Sequence, residues 1–558
     1  MTDNNTSNIS LWLYLLRLLG IFARHKTHML FITICIGVIT LLNFALPFLT
    51  RILIDEGFGN TDFTKIAVVS FMMLGLHVGG TVFEFLKEHI RISIYNDVYF
   101  TLQKNALEHL MRIKMSYFHD KTASGICRML DDDVASLAAI ADDETFETIT
   151  GLFSAVGGSI ALFCIDRRLG LAVLLFIPIQ YFSNMFMVRM NVNIVSRYNT
   201  ASQEYSSSLG STIEGMTDVR FLGIKSKRLA IMTQCLSEML KLDRKKFMLI
   251  KANFQMQYLL TEILIFTLYI ISGLLMFKSS ITLGGVIAFQ TFALMMINPL
   301  CQAIELIFSM SSIVPSLERY YSFMDEEEET SRSFSAVSAP QTGSIKFADT
   351  AFSYIEGSKI LEHVNFMIPY GAKVAIIGAN GAGKTTLLNL ILRVIEPSSG
   401  AIKLNDIDIA EFNIDEYRGL FAVVTQNPYI FNMTLKENIC ISSGADSSKF
   451  MRAVILSGLE ELVNARGADY ATGRKGAMLS GGQGQKIALA RMLMQDRPYV
   501  ILDEADSHLD RETVKLLYSL FSAELSLKTV ICVTHGDIPP GLFSMVIRVE
   551  DSIVTVSQ

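Results

Sequence analysis

Long apolar stretches without Asp, Glu, Lys or Arg constrain this chain more than any other feature of its sequence. Each is about long enough for a helix to cross a hydrocarbon core of roughly 30 Å. Five such stretches occur, at Met29–Thr50, Ile66–Phe83, Thr148–Ile165, Leu169–Val188 and Ser279–Ile304. A sixth, Ala252–Phe277, is interrupted by Glu262 alone. The amino-terminal half is therefore predicted to be an all-α domain with six transmembrane helices.

Basic residues predict how these helices are oriented. Many lie in the two long links that follow the second and fourth spans, over Lys87–Arg128 and Arg189–Lys246. The positive-inside rule places such links in the cytoplasm, and an even number of spans brings both termini to that side. Apolar residues in the first link keep a helical period, so we expect the membrane helices to extend well beyond the bilayer.

The composition changes after the last span. An acidic run at 325–329 leads into a Ser-, Ala-, Pro- and Gly-rich segment ending at Ser344, as in a solvated linker. Beyond it, β-rich runs alternate with helical patterns, among them Lys373–Ile377, Tyr499–Leu502 and Thr529–Val533. This alternation predicts an α/β domain with a parallel sheet. The predicted boundaries are 1–323 for the transmembrane domain, 324–343 for the linker and 344–558 for the α/β domain.

Composition and charge disfavour several classes of function. Apolar residues make up 51% of the chain and charged residues 18%, whereas soluble domains carry about 25% charge. Part of the chain must therefore face lipid. A net charge of −6 offers no general attraction to nucleic acid, so DNA and RNA partners are not expected. The seven cysteines show no spacing typical of a metal site or a disulfide framework.

One glycine-rich motif predicts phosphate binding. It fits the pattern G-x-x-x-x-G-K-[ST] between a predicted strand and a predicted helix, which is the context of a P-loop. In such a loop, backbone N–H groups surround the phosphates, Lys384 reaches the terminal phosphates and the Thr385 hydroxyl ligates Mg²⁺. The predicted nucleotide-binding residues here are Gly378, Asn380, Gly381, Gly383, Lys384, Thr385 and Thr386.

A second motif, farther along the chain, ends a buried-strand pattern in two carboxylates. The strand is followed directly by Asp503 and Glu504. Asp503 is suited to hold Mg²⁺ through water, and Glu504 is suited to polarise an attacking water. An apolar run before Asp-Glu is common in strands that simply reach solvent. The P-loop upstream is what favours the catalytic interpretation.

Between these two motifs, Leu479-Ser480-Gly481-Gly482-Gln483 resembles the signature sequence of ATP-binding cassette (ABC) proteins. The resemblance implies catalytic roles for Glu504, His535 as the switch histidine, and Lys384. It also implies Mg²⁺ ligands at Thr385, Gln426 of the Q-loop, and Asp503. Further ATP contacts are implied at Tyr354, which resembles the aromatic that stacks on adenine, at the signature residues Ser480, Gly481, Gly482 and Gln483, and at Asp510 of the D-loop.

The resemblance extends into the membrane half. Tyr117-Phe118 and Asp132-Asp133-Val134 resemble the first cytoplasmic loop of type I exporters, and Val219-Arg220 resembles the second. It therefore covers nearly the whole chain and implies a half-transporter, with six helices followed by one nucleotide-binding domain. In this family the signature loop serves the P-loop of a second nucleotide-binding domain. The resemblance thus implies a dimer, with a homodimer as its simplest form and an ATPase active as a monomer as the alternative.

Two positions depart from the family pattern. The segment before the signature holds Arg474 where exporters commonly have an acidic residue, and the D-loop holds His508 where a small residue is usual. The first departure bears on the contact that relays the ATP state to the membrane domain. The second bears on communication between the two ATP sites.

Polar residues inside the predicted spans suggest a cargo pathway. A charged side chain near a helix centre costs about 2.5 to 3.5 kcal/mol on insertion scales, so Glu262 and Glu305 should face the bundle or a water-filled cavity. With Gln290, Asn298 and Gln302 they would form an acidic, polar patch suited to a peptide or a cationic amphiphile. The alternative is that Glu305 is already solvated at the interface and that Gln290 and Asn298 tie helices together.

These features together predict ATP-driven export by alternating access. A lipid or glycolipid flippase of the same architecture stays open, as does a regulatory ATPase that transports nothing. The polar amino terminus lacks the arginines of an organelle transit sequence. We therefore expect an integral protein of a bacterial inner membrane, with its termini and nucleotide-binding domain in the cytoplasm.

Overall fold

The computed structural model describes residues 20, 25–121, 123–277, 281–329, 338–355, 358–444, 446–506, 509–534, 541–550 and 552–557. The chain divides into two compact units. The first comprises Met1–Met111 with Thr122–Glu326, and the second comprises Arg112–Lys121 with Glu327–Gln558. The short segment Arg112–Lys121, from the predicted first cytoplasmic loop, thus belongs to the same unit as the α/β domain.

Helices make up the described chain as far as Met324. They are α1 Lys26–Ile52, α2 Phe63–Leu110, α3 Tyr117–Asp120, α4 Ala123–Arg128, α5 Val134–Ala138, α6 Asp143–Ile165, α7 Arg167–Glu214, α8 Met216–Phe221, α9 Lys225–Phe277 and α10 Leu283–Met324. Within the described residues, six helical segments are long and apolar enough to cross a membrane, as predicted.

Three of these helices are far longer than a membrane requires. α2, α7 and α9 contain 48, 48 and 53 residues, which corresponds to about 70 to 80 Å at 1.5 Å per residue. A hydrocarbon core is only roughly 30 Å thick. The prediction that the membrane helices continue well beyond the bilayer therefore agrees with their lengths.

Side-chain caps fix where the helices after the short links begin. Asp62 accepts from the backbone N–H groups of Thr64 and Lys65, at 3.0 and 3.2 Å, and so begins α2. Asp166 and Thr282 cap α7 and α10 in the same way. Each cap satisfies N–H groups that have no partner inside the helix.

In this unit α1 packs along α2, α6 along α10, and α7 along α9.

The described residues of the second unit form two sheets. Its strands are β1 Ile345–Ile355, β2 Ser358–Ile368, β3 Lys373–Gly378, β4 Ser399–Leu404, β5 Ile407–Asp408, β6 Phe421–Val424, β7 Tyr499–Asp503, β8 Thr529–Val533, β9 Met545–Glu550 and β10 Ile553–Ser557. One sheet has the order β10-β9-β3-β8-β7-β6 and is parallel except at its β10 edge. The other, β2-β1-β4-β5, is antiparallel and was not predicted.

Helices cover the parallel sheet and place its loops. They are α11 Lys384–Ile391, α12 Ile414–Arg418, α13 Leu435–Ile439, α14 Ser447–Leu456, α15 Glu460–Arg466, α16 Gly481–Gln495 and α17 Arg511–Ser522. The central strands β7 and β8 are almost wholly buried, as their runs of Val, Ile and Leu predict. Because parallel strands end at one edge, the loops after β3, β6, β7 and β8 meet there.

Candidate nucleotide-binding site

The loop between β3 and α11 has a backbone that requires glycine. Gly381 and Gly383 have φ of 79° and 105°, in the left-handed region that disfavours side chains. At Gly378 the reason is space, because an added Cβ would lie 2.2 Å from the carbonyl oxygen of Val549. Asn380 lies exposed within this loop. The chain therefore curls tightly before α11, and the first N–H groups of that helix face the loop.

Lys384 folds back over this loop. Its Nζ donates to the carbonyl oxygens of Gly378 and Ala379, at 2.9 and 3.0 Å, and the residue is only 6% exposed. Burial lowers the pKa of Lys384, an effect that Glu504 and Asp503 oppose. The ammonium group is thus positioned beside the phosphate-binding backbone.

The neighbouring hydroxyl groups have different surroundings. Thr385 is exposed, whereas Thr386 is buried and its hydroxyl lies 3.4 Å from that of Tyr354. The Tyr354 ring is 53% exposed and packs edge-on against Phe352 at 4.8 Å. An exposed ring face beside the P-loop helix suits stacking on a planar base.

The two carboxylates after β7 lie next to the P-loop lysine. Burial raises the pKa of the Asp503 carboxyl, the charge of Glu504 raises it further, and Lys384 opposes both effects. Glu504 has a left-handed backbone, with φ of 48°, and its N–H donates to Val533 at 3.0 Å. Such a conformation is costly for a residue with a side chain and occurs often at functional sites. Gln426, after β6, donates from Nε2 to Oε2 of Glu504 at 2.6 Å.

The signature loop forms the cap of α16. The N–H of Gln483 donates to Oγ of Ser480 at 3.2 Å, and the N–H of Ser480 donates to Oε1 of Gln483 at 2.9 Å. This reciprocal pair is a capping box. The Gln483 side chain therefore stabilises the loop, while the N–H groups of Gly481 and Gly482 lie in the first turn, where helices bind anions.

The structure places Asp510 at a helix cap. Its carboxylate accepts from the N–H of Thr513 at 2.8 Å and pairs with Lys486 Nζ at 3.1 Å. These contacts hold the pKa of Asp510 well below its usual range.

His535 and His508 lie outside the described residues. Thr534, directly before His535, donates to Asp506 at 3.0 Å. Of the two family departures, only Arg474 is therefore described, in an exposed turn ahead of the signature loop.

Known proteins match both units. Residues 361–507 match the family model described as ABC transporter, and residues 29–300 match the model described as ABC transporter transmembrane region. The chain belongs to the ABC transporter family. As the resemblance in its motifs implied, this ABC transporter is a half-transporter of the type I exporter architecture.

Individual relatives are distant but nearly full-length. The transporter is 25% identical over 536 residues to an ABC transporter ATP-binding protein of Bacillus subtilis (strain 168), covering 94% of this chain and 88% of that protein. It is 26% identical over 498 residues to the ATP-dependent lipid A-core flippase of Vibrio vulnificus (strain YJ016), covering 87% and 84%. A solved structure of a bacterial Atm1-family ABC exporter with ATP bound superposes with a TM-score of 0.82 at 18% identity, covering 95% and 94%.

Two of the transporter's polar residues proposed for cargo lie beside tyrosines of α9. Glu262 lies beside Tyr258, one turn earlier on α9. Gln290 accepts from the hydroxyl of Tyr269, at 2.6 Å, and so ties α10 to α9. The side chain of Glu305 lies outside the described part of the chain.

A groove in the membrane unit brings Asn298 and Gln302 of the predicted polar patch together with charged residues that sequence reasoning missed. Its volume is about 580 Å³, and its walls come from α1, α2, α6 and α10. Its charged and amide side chains are Asn43, Glu84, Lys87, Glu147, Asn298 and Gln302. The signal that could have found part of it is the spacing of opposite charges at Glu84–Lys87 and Glu88–Arg91, which pairs them along one helix.

Proposed function

We propose that this transporter is an ATPase that exports cargo across a membrane as a homodimer of half-transporters. The observation that carries the proposal is the cluster of Lys384, Gln426, Asp503 and Glu504 at one edge of the parallel sheet. The same chain holds six helices able to cross a membrane. ATP hydrolysis and transport therefore reside in one polypeptide.

Within this proposal each residue has a separate role. Lys384 and the P-loop N–H groups bind the β- and γ-phosphates. Glu504 accepts the proton of the attacking water, and the hydrogen bond from Gln426 orients its carboxylate. Tyr354 stacks on the adenine. His535, outside the described residues, is proposed as the switch residue near the γ-phosphate.

The residues present also fit Mg²⁺. The exposed hydroxyl of Thr385, the amide of Gln426 and the carboxylate of Asp503 are hard oxygen ligands of the kind this ion binds beside phosphates. When bound, Mg²⁺ neutralises charge on the phosphates during transfer. The raised pKa of Asp503 is consistent with a buried carboxylate suited to a cation partner.

The motif content of the chain supports a homodimer as the simplest form of the dimer. Each polypeptide carries one P-loop and one signature loop, with Ser480, Gly481 and Gly482 in position to contact phosphate through a hydroxyl and N–H groups. In the proposed dimer, the signature loop of each subunit completes the P-loop site of the other. Gln483 supports that loop through its cap, and Asp510 caps the helix after the D-loop.

The proposed location is a bacterial inner membrane, with the nucleotide-binding domain in the cytoplasm. Inside-out vesicles containing the protein then expose the ATP sites to added ATP. Such vesicles should accumulate the dye Hoechst 33342 when given Mg-ATP, and vesicles with the Glu504→Gln protein should not. ATP hydrolysis without movement of this dye or of lipid would instead support the regulatory ATPase.

A lipid flippase is the second candidate, because relatives covering 87% of this chain are lipid A-core flippases. Vesicles with a fluorescent phosphatidylethanolamine in both leaflets test it. If ATP changes the fraction of this lipid that external dithionite bleaches, and the dye is not moved, the flippase function is favoured over export of soluble cargo.

The cargo pathway inferred from sequence, at Glu262, Gln290 and Glu305, stays a prediction. Replacing both glutamates by Gln should change cargo-stimulated ATPase if they face the cargo. The contacts of Glu262 with Tyr258 and of Gln290 with Tyr269 favour the alternative in which they stabilise the helices.

A further inference from the structure

We propose that the membrane groove binds an amphipathic organic cation and that Glu147 holds its positive charge. This rests on the proposed export function and adds a site to it, with one of the two cargo classes that the sequence suggests. The groove, at about 580 Å³, falls within the range of roughly 300 to 1,000 Å³ typical of small-molecule sites. It is thus large enough for a drug-sized molecule.

The walls of the groove are mixed in the way an amphipathic molecule requires. One part of the lining is apolar and is formed by Ile39, Leu46, Pro47, Leu294 and Met295. The carboxylates and amides lie in the same groove, so an apolar body and a polar head can be bound at once. Ligand sites commonly combine a hydrophobic lining with a few placed polar groups.

Lys87 cannot serve as the free charge of this groove. It is only 1% exposed, forms an ion pair with Glu84, and lies 3.8 Å from Glu88. Glu88 in turn pairs with Arg91 at 2.8 Å. A buried cation that is already paired offers little attraction to an anionic ligand. The groove therefore does not suit a phosphate or carboxylate head group.

Glu147 is in the opposite situation. It is exposed, lines the groove, and directly precedes the charge-free stretch Thr148–Ile165 of α6. Among the described residues, no Lys, Arg or His forms an ion pair with it. A carboxylate at the edge of a membrane span is costly unless it meets water or a cation. The charge that lines the groove, from Glu84, Lys87 and Glu147, sums to −1, so the unbalanced charge is that of Glu147.

A smaller adjoining groove extends the site. Its volume is about 400 Å³, and it shares Ile39, Asn43 and Glu84 with the first. It adds His77 and Glu88 to the lining. The combined surface has room for a cation with an extended apolar body. Among the described residues that line it, the charge without an ion-pair partner is the negative charge of Glu147.

Three probes of similar shape and different charge test this proposal. Tetraphenylphosphonium, tetraphenylborate and neutral triphenylphosphine oxide are titrated against the ATPase of the full-length protein in phosphatidylcholine nanodiscs. We expect the phosphonium to stimulate and the borate not to. Glu147→Gln should raise the phosphonium concentration for half-maximal stimulation about tenfold, because the attraction of one carboxylate charge is lost.

Matched variants separate charge from structure. Glu147→Asp keeps the carboxylate and should retain most of the response. Glu144→Gln removes an exposed carboxylate one turn away that does not line the groove, so its titration should match wild type. Lys87→Gln frees Glu84 and should strengthen the phosphonium response. Weakening of a borate response by Lys87→Gln would show an anionic site and overturn the proposal.

Other results also overturn the inference without touching the proposed function. The inference is overturned if the phosphonium does not stimulate the wild-type protein while basal Mg-ATPase persists. It is also overturned if Glu144→Gln and Glu147→Gln lose the response equally, or if Glu147→Gln leaves the titration unchanged. Absence of basal ATPase in the wild-type protein would instead count against the proposed function. A melting temperature equal to that of wild type confirms that each variant is folded.

Discussion

Gln426 donates a hydrogen bond of 2.6 Å from its Nε2 to Oε2 of Glu504, although the two residues are 78 positions apart in the chain. They follow β6 and β7, which are adjacent parallel strands. Sheet order therefore brings the amide and the carboxylate to one point. The amide fixes the orientation of a carboxylate whose own backbone is held in a left-handed conformation.

Glu504→Gln should keep ATP binding but slow hydrolysis at least about 100-fold. Positioned general bases contribute roughly 10²- to 10⁴-fold to rates, and Gln has the size of Glu but cannot accept the proton. Steady-state ATPase and binding of a fluorescent ATP analogue measure the two effects. Glu512→Gln, an exposed carboxylate in the first turn of α17, is the control. Turnover near that of wild type in Glu504→Gln would refute the assignment.

Gln426→Ala should lower kcat by about tenfold, because the carboxylate of Glu504 loses its orienting donor. If Gln426 is also a Mg²⁺ ligand, the half-saturating Mg²⁺ concentration should rise as well. Titrating Mg²⁺ at saturating ATP distinguishes the two roles. An unchanged kcat and an unchanged Mg²⁺ titration would show that the contact with Glu504 has no part in turnover.

The nucleotide-binding motifs could be predicted from sequence because their chemistry is local. The strand predicted at Thr529–Val533 coincides with β8, and the P-loop lies where its pattern placed it. The contact between Gln426 and Glu504 could not be predicted, because it depends on which strands are neighbours. Gln483, expected at the nucleotide, has its side chain engaged in the capping box, a local role that the S-x-x-Q spacing also indicates.

The membrane groove escaped prediction for a different reason. The charge-free stretch ends at Phe83, so the sequence predicts a cytoplasmic link after it, with a helical period that agrees with α2 running without a break to Leu110. That Glu84 and Lys87 of this helix line a groove is not predicted by that pattern. Lys87 and Arg91 are tolerated inside this helix because they pair with Glu84 and Glu88 at spacing i, i+3. A count of charges along the sequence cannot see that such charges are neutralised.

A mixed dimer tests whether the ATP sites are shared between subunits. Lys384→Ala removes the P-loop cation, and Ser480→Arg places a bulky cation in the signature loop. Each homodimer should lose nearly all ATPase, because every composite site carries a lesion. The mixed dimer, isolated by two different affinity tags, should have one damaged and one intact site, and should trap one nucleotide per dimer with vanadate.

The control for this experiment is Ser480→Thr. Ser480 caps α16, and losing a cap costs about 1 kcal/mol, so Ser480→Arg could act through stability alone. Thr retains the capping oxygen and should keep most activity. Wild-type ATPase in the Ser480→Arg homodimer would exclude a shared site. A mixed dimer that traps no nucleotide would also contradict it, because sites built within single chains would both carry a lesion.

The last prediction concerns Arg418, which holds the segment leading into the α/β domain. Its guanidinium donates to both carboxylate oxygens of Glu329, at 2.6 and 3.0 Å, and to the carbonyls of Leu392 and Arg393, at 3.1 and 2.7 Å. The N–H of Glu329 also donates to the carbonyl of Arg112 at 2.7 Å. One arginine thus connects the linker to the loop after α11, beside the paired segment at Arg112.

Arg418→Met should lower the stability of this unit by about 2 kcal/mol. The side chain of Glu329 is only 14% exposed, so removing its partner leaves a largely desolvated carboxylate, although the 30% exposure of Arg418 reduces the cost below that of a fully buried pair. A loss of this size lowers the melting temperature by roughly 4 to 8 °C in a domain of about 200 residues. Arg418→Lys should recover only part of it, because an ammonium cannot make the two parallel hydrogen bonds.

Arg548→Met, which breaks an ion pair between residues 57% and 60% exposed, should change stability by less than about 0.5 kcal/mol. Adding Glu329→Gln to Arg418→Met should raise the melting temperature again, because the unpaired charge is then gone. If Arg418→Met and Arg548→Met shift the melting temperature equally, the bidentate contact contributes no more than a surface ion pair, and Arg418 does not fix the linker.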